Sequence, residues 1–121
     1  MPLIQIVRNP TKVSDGMLGN ILSMLPAASS TILSCSEGGK LRPDDIMIEV
    51  TEFGPHDRNC KDLHVRVWAH DYPSRRGPNN KALDLMQLKI AGRVRAYLTP
   101  EISWYVWVLL ATTSYGSDTT D

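Results

Sequence analysis

The sequence predicts an α+β fold of two successive β-α-β units, in which a four-stranded mixed sheet carries two helices on one face. Four segments alternate apolar and polar residues as strands do, and two segments repeat apolar residues at helical spacing. Along the chain these segments follow the order βαββαβ. We expect one domain, residues 1–121, because a chain of this size buries a single core.

The first unit begins almost at the first residue. Residues 3–8 are apolar and rich in β-branched side chains, and they end before Asn9 and Pro10, which predicts the first strand. Ser14 is a suitable N-cap for a helix. The apolar residues that follow at helical spacing are Met17, Leu18, Ile21, Leu22 and Leu25.

Proline and glycine residues indicate where the first helix ends. Pro26 is expected to end or kink the first helix, with one or two further turns before Gly38. Residues 46–51 then alternate apolar and polar side chains, which predicts the second strand. Residues 63–70 alternate in the same way and predict the third strand.

One helix and one strand complete the second unit. Residues 73–80 are rich in Pro, Gly and Asn and are predicted to form a loop. The apolar stripe of the second helix consists of Leu83, Met86, Ile90 and Val94. We expect this helix to stop near Leu98 and residues 102–108 to form the fourth strand, followed by a frayed tail at residues 114–121.

The connections decide how the strands pair. Each helix joins two strands through a crossover long enough for parallel pairing, so two parallel pairs are expected. With both helices on one face, the other face of the sheet is left uncovered, and the alternation places apolar and aromatic groups on it. Self-association would bury that face.

Charge, apolar runs and cysteine spacing argue against several classes of protein. Thirteen basic residues balance thirteen acidic ones, which argues against a nucleic-acid partner. No run of 18 apolar residues and no signal peptide is present, so we expect a cytoplasmic protein without a membrane partner. Cys35 and Cys60 have neither zinc nor redox-pair spacing and are expected to be free thiols, and the three histidines have no metal spacing.

Two features of the sequence point to chemistry. Pro2 follows the initiator methionine, and such a small residue usually permits its removal, which would leave a secondary amine at the start of a strand. A terminal amine titrates near roughly 8, and burial or neighbouring cations lower that pKa, so it could act as a general base at neutral pH. Arg75 and Arg76 follow the third strand and could grip a carboxylate and stabilise developing enolate charge.

The N-terminal Pro-Leu-Ile-Gln-Ile strand, the two β-α-β units and the basic loop before the second helix together resemble the tautomerase superfamily. Its members include 4-oxalocrotonate tautomerase, 5-carboxymethyl-2-hydroxymuconate isomerase and macrophage migration inhibitory factor. The resemblance covers roughly residues 2–110 and rests on layout and on Pro2. It implies a cofactor-independent tautomerase or isomerase that acts on a small keto-enol carboxylate, and at this length a homotrimer.

The resemblance also suggests roles for individual residues. It implies that Pro2 is the general base or acid and that Arg75 and Arg76 bind the substrate carboxylate. Lys40 lies near where some members place a cationic substrate contact, and Ser103 and Tyr105 fall on the strand that often supplies pocket walls. No metal is expected at the site.

The sequence departs from the family pattern at several positions, and this leaves alternatives open. Met47 stands near where short tautomerases carry an arginine, and residues 101–103 differ from the tyrosine and asparagine of the cytokine-like members. A related decarboxylase, hydratase or dehalogenase, or a non-catalytic binding module, therefore remains an alternative. Glu52 and His56 border a polar loop and could assist water activation. A ferredoxin-like module would require an antiparallel sheet.

Overall fold

The computed structural model describes residues 2–112, so the predicted tail at residues 114–121 lies outside the described residues. The sheet contains β1 (Leu3–Arg8), β2 (Met47–Glu52), β3 (Leu63–His70) and β4 (Trp104–Ala111), in the order β2-β1-β3-β4. β1 pairs parallel with β2 and β3 pairs parallel with β4, whereas the central pair β1 and β3 is antiparallel. The predicted mixed sheet and both predicted parallel pairs are confirmed, and the antiparallel sheet of a ferredoxin-like module is not formed.

The first helix is longer than its proline suggests. α1 spans Asp15–Leu33 and begins as predicted, because the Ser14 hydroxyl accepts a hydrogen bond from the Met17 N–H at 3.2 Å. The helix does not end at Pro26 but continues to Leu33, which agrees with the expectation of one or two further turns before Gly38. Three of the last five residues of α1 are buried, and this packing offsets the hydrogen bond that proline cannot donate.

The predicted loop after β3 contains helical structure. α2 is a single turn, Pro73–Arg76, and a short 3₁₀ turn at Pro78–Asn80 leads into α3, Lys81–Arg95. Gly77 separates the two turns at φ 67° and ψ 177°, a conformation that is open almost only to glycine. The chain therefore makes two tight, defined turns between β3 and α3.

Both long helices pack on one face of the sheet, which we call the inner face. This face carries Ile4 and Ile6 of β1 and Val65 and Val67 of β3, all at most 1% exposed. The fully buried helix residues that meet them include Ile21, Leu25, Ile90 and Val94. By length and composition α1 could cross a membrane, with a mean hydropathy of 1.3, but the core helix of a soluble protein meets the same criterion.

The opposite side of the sheet, which we call the outer face, has no helix over it among residues 2–112. Strand alternation and register place on it Leu3, Gln5, Val7, Met47, Glu49, Thr51, His64, Arg66, Trp68, Tyr105, Trp107 and Leu109. Met47, Trp68 and Trp107 are 48%, 37% and 53% exposed. In one chain the outer face is thus an aromatic surface in contact with water.

Candidate functional site

Pro2 lies buried at one edge of the sheet, where β1 starts. Its carbonyl accepts a hydrogen bond from the Met47 N–H at 3.0 Å, so the start of β2 lies beside it. Leu3 pairs with Trp68, so the end of β3 lies on its other side. We call this edge the Pro2 edge, and the segment between α1 and β2 and the turn α2 both adjoin it.

The segment between α1 and β2 brings charged residues to the Pro2 edge. Lys40 is exposed there, just after Gly39, which has a positive φ of 74°. Asp44 and Asp45 lie in the 3₁₀ turn Pro43–Asp45 just before β2, where the Asp45 carboxylate accepts a hydrogen bond from the Arg42 N–H at 2.8 Å. From the sequence this segment was interpreted only as a turn, although two adjacent acidic residues directly before a strand could have indicated negative charge at this end of the sheet.

Arg75 is almost completely enclosed, with 4% of the residue exposed. Its Nε and Nη2 donate to the Leu33 carbonyl at 3.0 and 2.9 Å, and its Nη1 donates to the His70 carbonyl at 3.0 Å. The guanidinium carbon also lies 5.0 Å from the centre of the Tyr72 ring. Arg75 therefore caps the C-terminus of α1, whose last turn contains no basic residue, and ties it to the end of β3.

Arg76 has the opposite environment, although it is the next residue. Its side chain is 48% exposed, and its Nε lies 2.7 Å from Asp71 Oδ1. The guanidinium group is thus held at the rim by one acidic neighbour and remains open to solvent. Of the two arginines, only Arg76 presents its charge outside the fold.

Glu37 connects the two segments that flank the Pro2 edge. Its carboxylate accepts hydrogen bonds from the N–H of Ser74 at 3.1 Å, from the hydroxyl of Ser74, and from the hydroxyl of Ser36 at 3.0 Å. The Ser74 hydroxyl contributes most to lowering the pKa of Glu37 to about 2. Next to this contact, Gly38 packs so closely that a Cβ there would lie 2.8 Å from Tyr72 Cε2. Sequence reasoning missed Glu37 because its partner is 37 residues away.

Ser103 and Tyr105 lie at the other end of the sheet. The Ser103 hydroxyl accepts from the Asp62 N–H at 3.0 Å, and the Ser103 N–H donates to Asp62 Oδ2 at 3.1 Å. Tyr105 pairs with His64, which is opposite Val7, so it lies about 17 Å from Pro2 along the strand direction. It is also on the outer face, whereas strand alternation places Pro2 on the inner face. A single chain therefore does not bring these two residues to Pro2.

Tyr105 belongs to an aromatic cluster around Arg66. The Arg66 Nε donates to the Tyr105 hydroxyl at 3.0 Å, and the Tyr105 ring stacks on both His64 and Trp107 at 4.5 and 4.6 Å. Burial lowers the pKa of His64, and the neighbouring Arg66 cation lowers it further. The His64 Nε2 accepts a hydrogen bond from the Lys61 N–H at 3.1 Å, which requires an unprotonated nitrogen.

Glu52 and His56 also lie away from the Pro2 edge. Glu52 ends β2 and lies 3.4 Å from Arg8, a buried arginine that also contacts Asp15 at 2.6 Å. His56 is exposed in the following loop. Among residues 2–112, no group of three or more His, Cys, Asp or Glu side chains could hold a metal ion.

The helix layer contains a small cleft near this edge. It has a volume of about 230 Å³ and is lined by Ile32, Ser34, Cys35, Ser36, Ser74, Arg75, Ala82, Leu85, Met86 and Lys89. Pro2 is not among its lining residues, so this cleft is separate from the terminal proline.

Comparison with solved structures decides the fold family. A malonate semialdehyde decarboxylase inhibited by 3-bromopropiolate matches with a TM-score of 0.65 at 13% identity, over 97% of this chain and 91% of that chain. A fused 4-OT symmetric trimer matches with a TM-score of 0.64 at 13% identity, over 96% and 91%. The chain has the tautomerase fold. MIF2 from Leishmania major, at 21% identity, covers 99% and 96% with a TM-score of 0.50.

These three structures confirm the fold that the layout of the sequence predicted. No protein-family model matches the sequence, and no curated protein matches it. Identities of 13–21% establish the fold, whereas the chemistry has to be argued from the residues of this chain.

Proposed function

We propose that this protein is a cofactor-independent tautomerase or isomerase, in which Pro2 moves a proton between carbon and oxygen of a small keto-enol carboxylate. One observation carries the proposal most strongly. Pro2 opens the first strand of a tautomerase fold at a buried position, at the edge where the segment bearing Lys40 and the turn bearing Arg76 adjoin the sheet.

The proposed base is the amine that removal of Met1 would expose. Burial and neighbouring cations both disfavour the charged form of an amine, so they lower its pKa toward neutrality. An unprotonated amine at pH 7 takes a proton from the carbon or hydroxyl of the substrate and delivers it to the other end of the enol system. The reaction needs neither metal nor cofactor, because one group acts alternately as base and acid.

We propose that Arg76 binds the substrate carboxylate and that Lys40 adds a second positive charge. Arg76 is exposed at the rim and has only Asp71 as a described ion-pair partner, so its fork of N–H donors can reach a ligand. Arg75 donates three hydrogen bonds to the backbone carbonyls of Leu33 and His70. In this proposal Arg75 therefore keeps the turn in place, and Arg76 makes the contact that the sequence assigned to both.

Self-association is part of the proposal. The exposed aromatic outer face would be buried by further copies of the chain, and a tautomerase-fold neighbour is a symmetric trimer. We propose a cytoplasmic homotrimer in which Ser103 and Tyr105 reach a site on a neighbouring copy, since they lie too far from Pro2 within one chain.

Decarboxylation is the second candidate reaction. A malonate semialdehyde decarboxylase shares the fold over 97% of this chain, and Asp44 and Asp45 are acidic residues just before β2, whose start lies beside Pro2. Loss of carbon dioxide from a small β-keto carboxylate leaves an enolate, which the same cations would stabilise. A related hydratase or dehalogenase, and a non-catalytic binding module, are the remaining alternatives.

The test compares untagged wild type with Pro2→Ala, after intact mass has shown that Met1 is absent from both. Ketonisation of phenylenolpyruvate and release of carbon dioxide from malonate semialdehyde are measured in parallel. Pro2→Ala is expected to reduce the active reaction by about 100-fold or more, the range of a general base. Pro10→Ala changes an exposed proline just after the other end of β1; it is the matched control and should keep wild-type activity.

Full activity in Pro2→Ala would refute the proposal. No turnover of either compound in Met1-free wild type would favour the binding module. Sedimentation of the same samples tests the trimer, and a monomer at micromolar concentration would exclude it.

A further inference from the structure

The two segments that flank the Pro2 edge are joined by a side-chain contact between exposed residues, Glu37 and Ser74. Ser74 opens the turn that carries Arg76 two residues later, and Glu37 precedes Lys40 by three residues. The Glu37 carboxylate accepts both the backbone N–H and the hydroxyl of Ser74. The Glu37 carboxylate therefore ties the segment of Lys40 to the segment of Arg76.

Two further contacts join the same two segments. Arg75 joins the Leu33 carbonyl to the His70 carbonyl inside the fold. Gly38 packs against the ring of Tyr72. Glu37 is exposed, so its carboxylate can be replaced without opening the core.

We propose that Glu37 is a positioning residue, which fixes the spacing of the Arg76 and Lys40 cations so that a carboxylate bound between them presents its reacting carbon to Pro2. This inference rests on the function proposed above. Glu37 itself carries a negative charge and is held by three donors, so it contributes no direct attraction to an anionic substrate. Its effect is on geometry, and misplacement by about 1 Å can cost up to 100-fold in rate.

The experiment measures alkylation of Pro2 by two reagents that differ only in the carboxylate, 3-bromopyruvate and bromoacetone. In each case the Pro2 nitrogen forms a bond to the bromomethyl carbon, bromide leaves, and the nitrogen loses its proton. The ratio of the two rates, followed on the N-terminal peptide by mass spectrometry, reports how well the cations guide a carboxylate to Pro2. It does not require knowledge of the natural substrate.

Glu37→Gln and Ser74→Ala are compared with wild type. We expect the rate ratio to fall by about tenfold in Glu37→Gln, with an unchanged rate for bromoacetone, since only guided attack depends on cation spacing. Ser74→Thr keeps the hydroxyl and is expected to restore most of the ratio that Ser74→Ala loses. Glu101→Gln is the matched control, because Glu101 is also an exposed acid bonded to a hydroxyl, that of Thr99 at 2.8 Å, at the opposite end of the sheet.

Hydrogen exchange at the Ser74 amide provides a readout that is independent of chemistry at Pro2. Exchange at this amide should accelerate in Glu37→Gln and remain at the wild-type rate in Glu101→Gln. Unchanged exchange and an unchanged rate ratio in Glu37→Gln would overturn the inference. Faster exchange with an unchanged ratio would also overturn it, because the contact would then be structural only. Failure of either reagent to label Pro2 in Met1-free wild type would instead refute the proposed function, and the positioning role with it.

Discussion

The two neighbouring arginines make opposite predictions about stability and substrate binding. Arg75→Met removes the three hydrogen bonds to the Leu33 and His70 carbonyls while it keeps most of the side-chain volume. Arg76→Met removes one exposed guanidinium whose ion-pair partner is Asp71. The pair of variants therefore separates an arginine that holds the fold from one that faces solvent.

The magnitude follows from what Arg75→Met leaves behind. The Leu33 carbonyl loses both of its arginine donors, at about 1–3 kcal/mol for an unsatisfied buried group, whereas the His70 carbonyl keeps the Tyr72 N–H at 3.0 Å. Relief of the buried guanidinium charge offsets part of this loss. We expect a net loss of about 2 kcal/mol in the free energy of unfolding, which for a domain of this size lowers Tm by roughly 6–12 °C. Arg76→Met should change the free energy of unfolding by less than about 1 kcal/mol, as surface ion pairs do.

The assay is urea unfolding followed by circular dichroism at a fixed protein concentration, because self-association would couple stability to concentration. The same two variants are then tested for turnover, where Arg76→Met is expected to raise KM for a carboxylate substrate. A stable Arg75→Met with a large increase in KM would refute the reasoning. It would show that Arg75 serves the ligand and that its carbonyl contacts contribute little.

Two further predictions concern the turn after α2 and the titration of His64. Gly77→Ala should destabilise the protein by about 2 kcal/mol, because φ 67° with ψ 177° excludes a side chain and the new Cβ would lie 2.9 Å from Ala82 Cβ. Gly92→Ala, in the open face of α3, should instead stabilise it by up to about 1 kcal/mol, and equal Tm values for the two variants would contradict this account. NMR titration should give His64 a midpoint below its ordinary value of 6.5, and Arg66→Gln should raise that midpoint. The folded state binds this proton less readily than the unfolded chain does. The stability that His64 contributes is therefore present above pH 6.5 and is lost as the pH falls through the lowered pKa. A midpoint above 6.5 in wild type would show that burial does not dominate the pKa of His64.

Periodicity along the sequence determined the architecture. Residues 3–8 and 63–70 were predicted as strands with the bounds that the structure gives them, the first from its β-branched apolar residues before Asn9 and Pro10, the second from its alternation. The helical crossovers then required parallel pairs, and no contact between distant residues was needed to infer them. Ser14 was readable as a cap because its bond to Met17 is local.

Patterns among neighbouring residues predict less where tertiary packing determines the structure. Pro26 is unfavourable within a helix, yet α1 continues because the buried residues beyond it gain more from contact with the core than the missing hydrogen bond costs. Ser103 and Tyr105 have the residue types of pocket walls, but β3 runs antiparallel to β1 and parallel to β4, so within one chain the start of β4 lies at the end of the sheet opposite Pro2. A strand's position along its neighbour is not encoded in the residue types alone.

The sequence by itself determined the order of elements, the two β-α-β units, the uncovered face of the sheet and the position of Pro2 at the start of a strand. The tertiary structure alone decided which of two adjacent arginines is enclosed and which is exposed, and it joined Glu37 to Ser74. The physical reason is that alternation and helical spacing are properties of neighbouring residues, whereas the environment of a guanidinium or carboxylate depends on which distant carbonyls and hydroxyls the fold brings to it.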